Sequence, residues 1–548
     1  LSTLLIGLFP QSAADPMMMA PFAVLSLFMI LSGKLLKLPS NDIFLFLLML
    51  LWTLWAVSGI TAIVTFPPKV TWVIMGTLPL AYLVTRTSHD INPLRYLSLL
   101  ILPFATYTLW QGTQGITRPD DPFDDSNLLG LLYAFGILSA LPHTLPEQNK
   151  KARLIFASVA IILLTALILT QSRSAMITLI CAGAVFIYLA KPIKAKISKE
   201  KLVIGAGLAG LLTLLCITTG FFERFTLITE RGIDPSIIGR ISIWKAAWDM
   251  SWVHPLTGLG LGTFHLHYPA YRMAGDNSLG WMVHMDTLQT AVECGWIAAI
   301  TLYSIFIYAF YTAYKNRHIL TPPQIGAATL ITCMFVGMHM NYPMEVAPFL
   351  IITGTSFAIL IPPTTPKPVP VITSCGLLAT LLFGIWTITY TGMTLMLAEE
   401  VQKSYRLMDQ PRFDKAMQAC INDGDKDFPD CRIMAARFLT LAHDKNWQRT
   451  EKLLAEAEAA NPLNPEPDYI RAERLMGLNP PQPDEAMTRL KHSLSLNPSY
   501  WPARRMTITI LMQKDDKISA RAVLDEGLIY RYSRRTVEDI SRLRKELQ

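Results

Sequence analysis

Three side chains in an otherwise apolar chain have the chemistry of a group transfer: Arg173 in LTQSRSAM, Arg240 in GRISIWKAAW and His284 in VHMDTLQTAVECG. A guanidinium presents a planar fork of donors that matches a phosphate with two bonds at once. An imidazole is neutral near ambient pH and accepts a proton. Two arginines and one histidine therefore suit a reaction in which a phosphate-bearing group leaves and an incoming hydroxyl gives up its proton. Helical spacing puts His284, Thr287, Leu288 and Ala291 on one face, with Asp286, Gln289, Thr290 and Glu293 as a polar stripe beside it. Carboxylates that enter a membrane helix are costly and face the protein interior or a watery cavity. Plainer roles stay open. Arg173 and Arg240 can anchor at a lipid interface, and His284 can cap a helix.

Other polar positions are weaker. His339 and Glu345, in GMHMNYPMEVAP, lie at another helix end as supporting candidates. Asp120, Asp121, Asp124 and Asp125 could hold Mg²⁺ or Mn²⁺, but a solvated acidic loop is the simpler reading. His265 and His267 lack convincing metal-ligand spacing, so no metal and no cofactor are expected. Gly258, Gly260 and Gly262 follow no strand, and they read as a tight connector rather than a nucleotide loop.

The elements around these residues belong in lipid. The 548 residues are 51% hydrophobic and 16% charged, well below the roughly 25% charged residues of soluble domains. Apolar segments fall at 17–36, 43–65, 70–85, 95–110, 126–142, 153–170, 174–190, 202–219, 286–313, 325–341, 347–361 and 370–396. Most are near the roughly 20 residues a bilayer-crossing helix needs. Strand-like alternation is missing, so an all-α, polytopic helical bundle of about twelve transmembrane helices is expected. The short run ending at Phe9-Pro10 reads as the remnant of one further helix, and no cleavable signal peptide is evident.

Lysines and arginines concentrate in alternate loops: Lys34/Lys37, Arg86/Arg95, Lys150/Lys151/Arg153, the run from Lys191 to Lys201, and Lys315/Arg317. The positive-inside rule puts these in the cytoplasm. The large loop at 220–285, with Arg240 near the outer surface, then faces the periplasm, and so does the C-terminus. Cys181, Cys216, Cys294, Cys333 and Cys375 lie in or beside apolar helices, where Cys acts as a small hydrophobe. Cys420 and Cys431 lie in a compartment that permits a disulfide.

At about Glu399 the composition turns soluble, which divides the chain into a membrane domain at 1–398 and a helical domain at 399–548. LLAEAEAANPLNPEP and LKHSLSLNPSYWPA each read as a helix closed by Asn-Pro. Ala486 and Ala520 open similar helices 34 positions apart, the tetratricopeptide period. An irregular helical domain is the alternative.

Taken in order, SRSA at 172–175, R-x-x-x-W and HPLTGLGLGTF at 240–264, YPAYR at 268–272 and H-x-D-x-L-Q-x-x-x-E-x-G at 284–295 resemble the O-antigen ligase and Wzy-type polymerase superfamily. That superfamily includes the bacterial protein O-oligosaccharyltransferases. The resemblance covers about 40 to 360 and implies a GT-C-like fold in the bacterial inner membrane. It implies an undecaprenyl-pyrophosphate-linked glycan donor and an acceptor that is a glycan, lipid A-core or protein. It also implies metal-independent, inverting transfer with Arg173 and Arg240 on the diphosphate and His284 as the base. Met285 departs from the pattern, since the family commonly has Asn after this His. The C-terminal helices look like the repeat appendage of some members, where a protein partner would dock; no nucleic acid is expected. A transporter would show internal symmetry between its halves, and none is visible. A membrane-anchored scaffold would explain the tail but not the stripe behind His284.

Overall fold

Helices make up all the regular structure among the described residues, as a backbone in lipid requires. The computed structural model describes residues 43–64, 71–87, 93–145, 149–190, 235–273, 280–362 and 447–547, apart from 73, 124, 531 and 533, plus a few isolated positions. The apolar segments expected at 17–36, 202–219 and 370–396, the change of composition at Glu399, Asp124, and the pair Cys420 and Cys431 lie outside those residues.

The apolar part contributes α1 (Ile43–Thr61), α2 (Thr77–Thr87), α3 (Leu97–Thr113), α4 (Ser126–Ala140), α5 (Lys150–Leu169) and α6 (Arg173–Ala190). After the large loop's α7 (Pro235–Ser251) and α8 (Phe264–Tyr271) come α9 (Asp286–Lys315), α10 (Pro322–Gly337) and α11 (Ala347–Leu360). Five helices are long and apolar enough to cross a membrane: α1, α4 with its 3₁₀ extension, α5, α6 and α9. α4 is apolar almost all round and buried nearly throughout, which puts it at the centre, against α3, α5, α6 and α10. α1, α5 and α6 bury only a stripe, and they turn Ile43, Phe46, Ile60, Leu154, Ile180 and Ile187 outward. Large apolar side chains left outside a bundle of this composition fit lipid contact. The chain is an integral membrane protein. At the basic end of the bundle, buried Arg86 donates to the carbonyls of Ile361 (2.5 Å) and Pro362 (2.7 Å), and so closes the C-terminus of α11.

α9 has 30 residues, longer than a bilayer core needs, and it breaks at Gly295, where φ is 81°. The loop after α7 fills the break. Leu259 and Gly260 donate their N–H groups to the carbonyls of Val292 and Glu293 (both 2.9 Å), and Trp296 N–H donates to Pro255 (2.8 Å). Backbone groups freed by the kink are thus taken up by the HPLTGLG segment. A Cβ on Gly295 would come within 2.3 Å of the Leu256 carbonyl oxygen, so only glycine fits. Trp248, Trp252 and Trp296 cluster beside the break, with centroids 5.5 to 5.7 Å apart, and tryptophan is a residue type that membrane–water interfaces favour.

The C-terminal part gives α12 (Trp447–Ala460), α13 (Glu466–Met476), α14 (Pro483–Leu496), α15 (Trp501–Gln513), α16 (Lys517–Gly527) and α17 (Arg534–Glu546). Each packs on its chain neighbours. Ala486 and Ala520 take equivalent buried positions in the first turns of α14 and α16. The side chains of Asn461 and Asn497 accept from the backbone N–H two residues on, which turns the chain after α12 and α14.

Candidate functional site

His284 precedes α9 rather than riding on it. Its φ of 58° is left-handed, a conformation rare outside glycine and concentrated at functional positions. One local and one long-range hydrogen bond flank it. Val283 N–H donates to Gln289 Oε1 (3.1 Å), and Asp286 N–H donates to the Met338 carbonyl (2.8 Å). These bonds pull 283–285 out of helical register, so His284 does not share the helical face that its spacing suggests. The ring stands edge-on to Tyr342, with centroids 5.2 Å apart. Its Nδ1 is buried and has no hydrogen-bond partner among the described residues. Burial, then the positive charge of Arg240, pushes the imidazole down to about 4, while Asp125 pulls the other way. The ring is therefore neutral at ordinary pH.

Both arginines reach the same end of the bundle. Arg240 lies on α7, one turn before Trp244, whose indole N–H donates to the Val283 carbonyl (3.0 Å). Arg173 opens α6 after a turn that Gln171 makes at φ 51°. Its neighbour Ser174 accepts from Asn341 Nδ2 (3.2 Å), and Ser172 donates to Asn127 Oδ1 (3.2 Å). Asn341 adjoins Tyr342, so the turn carrying Arg173 and the segment carrying His284 converge on one loop.

The carboxylates behind His284 divide into separate tasks. Glu293 accepts from the backbone N–H groups of Gly262 (2.8 Å) and Phe264 (3.1 Å), holding the glycine turn and the start of α8. Asp286 Oδ2 accepts from Met344 N–H (2.9 Å), while Oδ1 is buried without a partner among the described residues. Gln289 Nε2 donates to Glu345 Oε1 (3.2 Å), which ties the 339–345 loop to α9. His339 stands apart: its Nε2 meets the Tyr303 hydroxyl (2.7 Å) and its Nδ1 meets the Phe335 carbonyl (2.7 Å). With both nitrogens engaged, it braces α9 against α10.

Of two further residues near His284, Tyr342 escapes the spacing argument and Asp125 enters it only as a possible metal ligand. Tyr342 donates its hydroxyl to Asp125 Oδ2, and Asp125 Oδ1 accepts from Asn127 N–H (2.6 Å) as the cap of α4. The acidic run is not one pool, since Asp121 instead accepts from Gln111 Nε2 (2.7 Å). Among the described residues no group of three or more His, Cys, Asp or Glu lies close enough to hold a metal ion.

Residues 158–303 match a family model described as O-antigen ligase. The match runs from within α5 into α9 and contains Arg173, Arg240, His284, Asp286 and Glu293. The resemblance to the O-antigen ligase and Wzy-type superfamily therefore holds over this segment as a whole and not only at its motifs. No curated protein matches the chain.

Proposed function

We propose that this protein takes a glycan from an undecaprenyl-pyrophosphate donor at the periplasmic face of the bacterial inner membrane and joins it to an acceptor hydroxyl. One observation carries the reading. A half-buried, neutral His284 with a buried Nδ1 lies in the field of Arg240, at the end of the bundle where Arg173 also stands, inside the segment that matches O-antigen ligases. The acceptor oxygen gives its proton to His284 and attacks the anomeric carbon. The bond from that carbon to the phosphate oxygen breaks, and the electron pair leaves with the pyrophosphate. Arg173 and Arg240 offset its charge. Attack opposite the leaving group inverts the configuration. No step calls for a metal, because a pyrophosphate is already a good leaving group and the base is present.

The alternating basic loops support placing this end, the 220–285 loop and the 399–548 domain in the periplasm. The acceptor is a glycan or lipid A-core, as in lipopolysaccharide assembly, or a protein. The C-terminal helices reach the loop, where α8 touches α14. Glycan analysis of a deletion strain names the acceptor. Loss of long glycan from core lipid, loss of polymer length, or loss from a glycoprotein each gives a distinct answer, and unchanged glycans in all three fractions overturn the reading.

A further inference from the structure

We infer that Arg272 couples the C-terminal helices to the loop that presents His284, as a positioning residue for the transfer proposed above. The inference rests on that reading for its consequence and on the geometry for the coupling. Arg272 directly follows α8 and uses its guanidinium in two directions. Nη1 donates to Ser499 Oγ (3.2 Å) in the turn between α14 and α15. Nε donates to Asp276 Oδ2 (3.4 Å). Ser499 gives its own proton to Asn497 Oδ1 (2.8 Å), so its lone pairs are left to face the guanidinium. Asp276 is fully buried, and its Oδ2 also accepts the hydroxyl of Tyr268 on α8. A buried carboxylate with two donors fixes what it holds.

Tyr268 passes that constraint toward His284. The Gly280 backbone lies against the Tyr268 ring so closely that a Cβ there would come within 2.1 Å of it. Tyr268 and Phe264 share a small core with Val283, the residue before His284, and with Ile243 and Ala247 of α7. At its other end α8 is held by Glu293. The helix is thus clamped between α9 and the C-terminal domain, and a shift of α8 moves Val283 and with it the base. A Michaelis geometry lost by about 1 Å can cost roughly 10²-fold in rate.

The test uses full-length Arg272→Ala, Ser499→Ala and Arg272→Lys, assayed with a lipid-pyrophosphate glycan and followed by hydrogen exchange over 280–286. Arg272→Ala lowers kcat roughly 10²-fold and Ser499→Ala roughly tenfold, with KM for the donor within about threefold. Exchange over 280–286 rises in both. Arg272→Lys recovers part of the loss, because an ammonium serves Asp276 or Ser499 but not both in the fork geometry. Should Arg272→Ala fail to fold, Ser499→Ala decides alone, as it removes only a hydroxyl from a partly buried turn. Unchanged exchange in Ser499→Ala, or a change in KM with kcat intact, overturns the coupling. The exchange result stands whether or not His284 is the base, so failure of the transfer reading is seen separately in His284→Ala.

Discussion

The Tyr342 hydroxyl donates to Asp125 Oδ2 over 2.9 Å, and this bond joins the loop after α10 to the cap of α4 while the Tyr342 ring lies edge-on to His284. Asp125 is also the negative charge that holds the His284 imidazole up against burial and Arg240. Asp125→Asn keeps an oxygen for the cap but removes the charge, which leaves His284 a weaker base. Steady-state kinetics should show kcat reduced roughly tenfold, and Tyr342→Phe should show a smaller loss. Wild-type kcat in Asp125→Asn would mean that the charge does not act on the base.

With His284 as the proposed base, its depressed value sets the expected pH dependence. With a folded value of about 4 against an ordinary value near 6.5, His284 is unprotonated above about pH 4. The acid limb of kcat/KM should therefore lie near 4. For stability the sign runs the other way from a salt-bridged histidine. Between about 6.5 and 4 the unfolded chain binds the proton and the folded one does not, so stability falls as pH falls through that window. A pH–rate profile with its acid limb at 6 to 7 would place His284 in water.

Much of the bundle was readable because its helices announce themselves by length and apolarity. The segments expected at 43–65, 126–142, 153–170, 174–190 and 286–313 correspond to the five long helices. The stripe from Asp286 to Glu293 followed from spacing, but its partners did not. Glu293 meets Gly262 and Phe264 some thirty positions upstream, and Tyr342 meets Asp125 across 217 positions. Periodicity carries no information about such pairs. Helical spacing puts His284 on the α9 face because a periodic pattern registers neither the bond between the Gln289 side chain and Val283 nor the long-range bond from Asp286 to Met338. The glycines at 258–262 read as a connector, and in the fold their segment fills the α9 break at Gly295; propensity marks that glycine as a weak point of the helix but does not say which segment fills it.

That break gives a stability prediction. Gly295→Ala puts a Cβ within 2.3 Å of the Leu256 carbonyl oxygen, on a backbone at φ 81° that side chains rarely adopt. Strain of this kind costs about 1–3 kcal/mol for the dihedral alone, before the clash is relieved. The variant should insert in the membrane yet melt at lower temperature, and it should lose activity, because the HPLTGLG segment must move. Gly183 of α6 is the control: a Cβ there meets nothing within 4 Å, so Gly183→Ala should leave the melting temperature unchanged or slightly raised. Thermal scans of the two purified variants compare them directly, and equal behaviour would show that the break is not required.

The assignment of chemistry is tested by three separate single changes. His284→Ala should abolish transfer while the protein still inserts and folds, since the ring is proposed as a base and its Nδ1 anchors nothing among the described residues. Arg240→Lys should retain binding of the donor but turn over roughly 10²-fold more slowly, since an ammonium keeps the charge and loses the bidentate fork. Arg173→Lys should behave similarly if both guanidinium groups meet one pyrophosphate. The rival account gives the carboxylates Asp120, Asp121, Asp124 and Asp125 a required metal. It predicts that EDTA stops the reaction and Mn²⁺ restores it. Purified protein with lipid-pyrophosphate glycan and an acceptor is assayed under both conditions. Transfer that survives His284→Ala, or that ceases on chelation and returns with Mn²⁺, would move the chemistry from the histidine to the acidic loop.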